Sequence, residues 1–132
     1  MRAHVDIESY SEVSLPKVGT YAYMEHPTTR INCVVVAIDD DEPELWIPHE
    51  TRKRYGAMVQ HELPGTTIYW GSSCPVKWLA PLDWTAHNSE FERTMLNGHP
   101  GRAINFPPTE IADWTCTAAQ AAALSLPRSL KN

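Results

Sequence analysis

Hydrophobic and polar residues alternate at the start of the chain. Val5 and Ile7 are interleaved with His4, Asp6 and Glu8. A period of two is typical of a β-strand, in which alternate side chains share a face. The pattern therefore predicts a strand over residues 3–9, with the Asp6 and Glu8 carboxylates projecting together.

A hairpin is predicted next. The β-branched segment "RINCVVVAID" (30–39) indicates a strand, and "ELWIP" (44–48) indicates its partner after the turn "DDDEP". Before the hairpin, Ser14 is positioned to cap a short helix with Pro16 in its first turn. Residues 49–80 lack a clear period and are interpreted as irregular, with "TIYWG" as a candidate short strand.

Two strand–helix units complete the pattern. They are a strand at 81–87 with a helix at 88–98, and a strand at 111–116 with a helix at 117–126. Asn88 or Ser89 starts the first helix and Gly98 stops it, while Thr117 and Gln120 have capping-box spacing. A hairpin followed by βα units predicts an α/β protein with a mixed sheet flanked by helices. We expect residues 1–132 to form a single domain.

Composition narrows the function classes. A net charge of −5 argues against a protein that coats nucleic acid through a broad basic surface. The basic segment "RKR" (52–54) is interpreted as a solvated loop. Three distant cysteines without a Cys-x-x-Cys pattern suggest neither a zinc site nor a disulfide framework, and fit a reduced cytoplasmic compartment. The longest apolar run, "CVVVAI", is too short to span a bilayer, and no signal peptide is recognisable.

The candidate chemistry lies in three acidic residues. Asn88 and Glu92 are four residues apart and share a helix face. The preceding strand would bring them to the sheet edge near Asp6 and Glu8, and ligand sites gather at the carboxyl ends of strands. Carboxylates held together repel unless a positive group, often a hard divalent cation with oxygen ligands, lies between them. Ser89-x-x-Glu92 is also a capping box, which alone would explain Glu92.

Three segments resemble a known family when taken in order. "VDIESYSEVSLPKVGTYAYMEHP" resembles the opening of the 3′–5′ exonuclease domain of bacteriophage-type family A DNA polymerases, which are DEDD exonucleases of the ribonuclease H-like fold. "WTAHNSEFERTML" resembles the second motif of these domains, and "ADWTCTAAQAAALSLPRSL" resembles the segment that follows it. The resemblance covers most of residues 4–130 and is looser over 49–80.

The resemblance implies a two-metal nuclease. Asp6, Glu8 and Glu92 would be the catalytic residues and the ligands of two Mg²⁺ or Mn²⁺ ions, with Asp6 bridging them. Many relatives carry Asp where this chain has Glu92. The substrate-binding residues implied are Ser9, Tyr10 and Asn88. The substrate would be the 3′ end of single-stranded DNA, and the product a nucleoside 5′-monophosphate.

The third motif of the family, Tyr-x-x-x-Asp or His-x-x-x-Asp, has no counterpart in the sequence. We therefore expect the predicted ribonuclease H-like domain to be C-terminally incomplete, and the chain to be a fragment of a polymerase, one half of a split polymerase or a stand-alone binding module. We expect little or no nuclease activity from it alone. An uncovered sheet face would favour a polymerase partner chain or self-association. A wholly different interpretation is a small β-rich binding domain whose acids are only surface residues.

Overall fold

A six-stranded mixed sheet forms the centre of the computed structural model, which describes residues 1–56, 66–80 and 83–124. The strands are β1 Arg2–Tyr10, β2 Arg30–Ile38, β3 Glu44–Pro48, β4 Thr67–Gly71, β5 Asp83–Ala86 and β6 Trp114–Cys116. Their order across the sheet is β4-β3-β2-β1-β5-β6. β1, β2 and β3 pair antiparallel, whereas the β3–β4, β1–β5 and β5–β6 pairs are parallel. The α/β class with a ribonuclease H-like mixed sheet is confirmed.

Six short helices accompany the sheet in the described part of the chain. They are α1 Leu15–Val18, α2 Thr20–Glu25, α3 His49–Tyr55, α4 Ser89–Asn97, α5 His99–Ala103 and α6 Thr117–Ala123. Two 3₁₀ helices, Val76–Leu79 and Ile111–Asp113, lie in the connections before β5 and β6. None of the described helices is long and apolar enough to cross a membrane.

The hydrophobic core lies on one face of the sheet. Ala3, Val5 and Ile7 of β1 are buried there beside their β2 partners Ile38, Val36 and Val34. Met95 and Leu96 of α4 are fully buried in the same cluster. Trp84 packs between Phe106 and Trp114, with ring centroids 5.4 and 5.7 Å away. The alternation in β1 therefore places its apolar residues inside and its acids outside.

Most predicted elements are confirmed within a few residues, including the hairpin, the short strand "TIYWG" and both βα units. Two interpretations are wrong. The region after Pro48 contains helix α3, so "RKR" lies on a helix and not in a loop. Thr117 is the first residue of α6 and not its cap, because Cys116 occupies the N-cap position without a side-chain cap bond. Residues 57–65, 81–82 and 125–132, including "LPRSL", lie outside the described residues.

Gly101 allows α5 to pack against the end of α4. A Cβ atom at this buried position would overlap the backbone carbonyl of Leu96, which cannot rotate away. We expect Gly101→Ala to lower the free energy of unfolding by about 3 kcal/mol, the upper range for overpacking a core. Urea unfolding measures the change, with Arg102→Ala at the exposed next residue as control. Equal stability of the two variants would contradict the predicted overlap.

Candidate active site

Asp6 and Glu8 lie on the sheet face opposite the core, here called the outer face. Both are exposed, while Val5 and Ile7 beside them are buried. The parallel pairing of β1 with β5 ends at His4, so β1 continues past the end of β5. The acidic pair is thus at the carboxyl end of the central strand, next to the gap where the chain leaves β5 and enters α4.

A β-bulge follows the acidic pair. Glu8 pairs with Cys33 but Ser9 pairs with Ile31, so Asn32 of β2 is an extra residue. Bulges are common beside active sites, where they change the direction of side chains. After this bulge Ser9 is on the core side, where its hydroxyl shares a 2.9 Å hydrogen bond with that of the buried Tyr23. Tyr10 lies on the outer face with Glu8 and is 40% exposed.

Tyr23 connects the end of β1 to the first turn of α4. Besides its bond to Ser9, its ring lies 6.1 Å from that of Phe91 between centroids. Phe91 immediately precedes Glu92, so this contact helps to set the position of the Glu92 side chain relative to β1. No local sequence pattern singles out Tyr23, because its role depends on packing between distant segments.

The start of α4 is also held from the other side, by α6. The carbonyl of His87 accepts hydrogen bonds from the backbone N–H of Ala118 (2.9 Å) and the thiol of Cys116 (3.4 Å). Asn88 is the N-cap residue of α4, is exposed, and its side chain makes no cap hydrogen bond. Its amide therefore faces solvent, in keeping with the predicted substrate-binding role, which stays a prediction.

Glu92 is a buried acid with an unpaired oxygen. Its side chain is 7% exposed, and its Oε2 atom has no hydrogen-bond partner. Burial, with a smaller contribution from the negative charge of Asp6, raises the pKa of Glu92 to about 7. The capping-box explanation of Glu92 is wrong, because α4 begins after Asn88 without a side-chain cap bond. An acid kept buried at this cost is a candidate functional group.

Cys33 is influenced by the same acidic charges. It lies opposite Glu8 on β2, and burial together with the carboxylates of Glu8 and Asp6 raises the pKa of its thiol to about 11. The thiol is therefore protonated at neutral pH and is a poor nucleophile. The effect shows that Asp6 and Glu8 form one region of negative potential. The sequence alone does not show that Cys33 lies opposite Glu8, because this depends on the pairing register of β1 and β2.

The donor set suits a hard divalent cation in kind but is not a preformed site. Asp6, Glu8 and Glu92 offer carboxylate oxygens, the ligands that Mg²⁺ and Mn²⁺ prefer. The unpaired Glu92 Oε2 is a buried oxygen that a cation would satisfy. Nevertheless, no group of three or more His, Cys, Asp or Glu side chains among the described residues is arranged to hold a metal ion. Asp6 and Glu92 are close enough to interact electrostatically, but the three acids do not converge.

The chain is related to a viral DNA polymerase. Over 126 residues, 96% of the chain, it is 34% identical to a DNA polymerase of Bacillus phage SP02. The aligned region spans 16% of the length of that polymerase. No family model matches the chain, and no solved structure matches it. The chain is thus a distant homologue of a small part of a phage DNA polymerase, built on a ribonuclease H-like sheet.

The titration of Glu92 makes stability depend on pH. Because its pKa is raised from 4.5 to about 7, the folded state binds the proton more tightly than the unfolded state. This contribution to stability is full below pH 4.5 and is lost as the pH rises toward 7. Relative to Glu92→Gln, we expect the wild type to lose up to about 3 kcal/mol between pH 4.5 and 8, from about 1.4 kcal/mol per pKa unit.

Urea unfolding of both proteins across this pH range tests the prediction. Glu90→Gln, at an exposed position in the same helical turn, is the matched control. A stability difference between wild type and Glu92→Gln that does not change with pH would show that Glu92 is not buried as described.

Proposed function

We propose that the chain forms part of the 3′–5′ proofreading exonuclease domain of a phage-type DNA polymerase. The supporting observation is the buried, unpaired Glu92 carboxyl group, which interacts electrostatically with Asp6 at the carboxyl end of the central strand. The relation to a phage DNA polymerase supports the same proposal. The reaction would be the hydrolysis of 3′-terminal nucleotides from DNA, in the cytoplasm of the host cell.

Each acid has a distinct part in this proposal. Asp6 and Glu8 are exposed and carry the charge that attracts divalent cations to the outer face. Glu92 would exchange its proton for a cation, since its pKa near neutrality leaves it partly protonated when no cation is bound. Two bound Mg²⁺ or Mn²⁺ ions would supply an activated water and stabilise the leaving 3′ oxygen. Ser9 would act indirectly, by holding Tyr23, while Tyr10 and Asn88 remain accessible to the terminal nucleotide.

The three acids alone make an incomplete site. They do not converge on one point among the described residues, and the resemblance places a further acid and a Tyr or His in a third motif. We propose that a polymerase segment or a second chain supplies these groups. A second candidate function, a nucleic-acid-binding or protein-binding module without catalysis, is favoured by this same lack of a preformed three-carboxylate cluster.

Mn²⁺ should stabilise the chain through the proposed site. A concentration ten times the dissociation constant adds about 1.4 kcal/mol, or a few degrees in melting temperature. We expect a larger shift at pH 8 than at pH 6, because protons compete for Glu92. Thermal unfolding with and without Mn²⁺ measures it.

Asp6→Ala and Glu8→Gln should abolish this shift. The double variant Asp40→Asn/Glu42→Gln is the matched control, since it removes an acid pair of equal spacing in the exposed turn that begins at the other end of β2. If the control variant loses as much of the Mn²⁺-induced rise in melting temperature as Asp6→Ala and Glu8→Gln do, the rise reflects general charge screening. That result would contradict a metal site at Asp6.

Hydrolysis tests whether the site of the isolated chain is incomplete. The substrate is 3′-labelled single-stranded DNA with Mn²⁺, and the measurement is the release of labelled 5′-mononucleotide. For the isolated chain we expect release to be weak or absent, and any release to be lost in Asp6→Ala. Vigorous release by the isolated chain would refute the proposal of an incomplete site. Metal-dependent stabilisation that requires Asp6, without hydrolysis, would fit the proposed partial domain.

A further inference from the structure

A cationic and aromatic cluster lies beside the acidic pair. Tyr10 is the next outer-face residue after Glu8, and the bulge pairs it with Arg30. The guanidinium carbon of Arg30 is 4.0 Å from the centroid of the Tyr10 ring. Arg30 Nη2 donates a 2.9 Å hydrogen bond to the hydroxyl of Tyr55, and its Nε donates one of 3.3 Å to Asn32 Oδ1. We call Tyr10, Arg30 and Tyr55 the arginine cluster.

The positive charge of this cluster is held in place but not neutralised. Arg30 is half-buried, and no carboxylate lies within ion-pair distance of it in the part of the chain that the structure describes. Its partners are a ring face, a phenol and an amide oxygen, which orient the guanidinium without cancelling its charge. A guanidinium has five N–H donors, so the hydrogen bonds to Tyr55 and Asn32 leave donors for an anion.

Helix α3 adds positive charge on the same side. Its last turn carries Arg52, Lys53 and Arg54 directly before Tyr55. Arg30 lowers the pKa of the Tyr55 phenol through its hydrogen bond and charge, and Arg54 contributes to this through its charge. These three residues and Arg30 are four of the eleven Lys and Arg residues in a chain of net charge −5. Arg30 and Arg54 therefore both bring positive charge to Tyr55, while Arg52 lies over the Trp70 ring.

We propose that the arginine cluster binds a backbone phosphate of single-stranded nucleic acid whose 3′ end lies at Asp6 and Glu8. An arginine fork recognises phosphate oxygens in pairs. The partly exposed Tyr10 ring provides a surface on which an unpaired base can stack. A fixed cation is needed here, because two exposed carboxylates repel a phosphodiester. This inference rests on the proposed exonuclease function, which supplies the position of the 3′ end.

Binding can be measured apart from hydrolysis. The probe is a 5′-fluorescent oligothymidylate, titrated with the full chain in EDTA and followed by anisotropy. We expect Arg30→Gln to weaken binding about tenfold, as for a lost hydrogen bond to a charged group. The slope of log K against log salt should become smaller by about 0.7, the value for one phosphate of a single strand. Arg30→Lys should keep the slope and still bind more weakly, because lysine lacks the planar fork.

Two variants separate binding from structure. Arg102→Gln removes the same charge from α5, where Arg102 is exposed. Its guanidinium donates only to the Asn97 carbonyl among the described groups, so this variant should leave the affinity unchanged. Tyr55→Phe removes the phenol that holds Arg30 but no charge, and we expect it to weaken binding less than Arg30→Gln does. If Arg30→Gln fails to fold, Arg30→Lys and Tyr10→Ala provide the test.

The outcomes distinguish this inference from the proposed function. Equal weakening by Arg30→Gln and Arg102→Gln would overturn the inference, as would a wild type that does not bind the oligonucleotide. Binding that needs Arg30, in a chain with neither a metal effect nor hydrolysis at Asp6, would support strand binding while the exonuclease proposal fails. Metal binding that depends on Asp6, with no effect of the Arg30 variants on DNA affinity, would support the exonuclease proposal and overturn the inference about Arg30.

Discussion

The antiparallel pairing of β1 with β2 determines the geometry of the whole candidate site. Its register places Val5 and Ile7 against Val36 and Val34 in the core, which leaves the alternate acids of β1 on the outer face. A slip by one residue would reverse every side chain, so burial of the apolar set fixes the acids as well. The bulge after Glu8 then shifts the pairing of β2 by one residue, so that Arg30 pairs with Tyr10. The charge on the outer face thus changes from negative to positive within two residues of β1.

Glu92 shows a conflict between stability and function. A buried carboxyl with an unpaired oxygen lowers stability at neutral pH, and a glutamine or an apolar residue would avoid this penalty. Its neighbours Met95 and Leu96 are ordinary core residues, so packing alone does not require an acid there. Natural proteins retain such destabilising groups where function needs them, so active-site residues often lower the free energy of unfolding.

The sequence predicts those parts of the structure that depend on local pattern. The alternation in β1, the β-branched run of β2 and the βα units identify the sheet and bring Asp6, Glu8 and Glu92 to one end of it. The sequence does not predict helix α3, whose segment "HETRKRY" lacks a clear apolar stripe. It also gives no sign of the contact between Arg30 and Tyr10, because that contact depends on one extra residue in β2.

The outer face holds acids and a cation close together without joining them in a salt bridge. Glu8 and Tyr10 are alternate residues of one strand, yet Arg30 is engaged by the Tyr10 ring and the Tyr55 phenol and not by Glu8. A direct ion pair would neutralise both groups and leave neither available to a ligand. Keeping the charges apart preserves two adjacent regions of opposite potential. In the proposed complex, a phosphodiester strand with bound divalent cations would present the complementary charges, its phosphate to Arg30 and its cations to the acids.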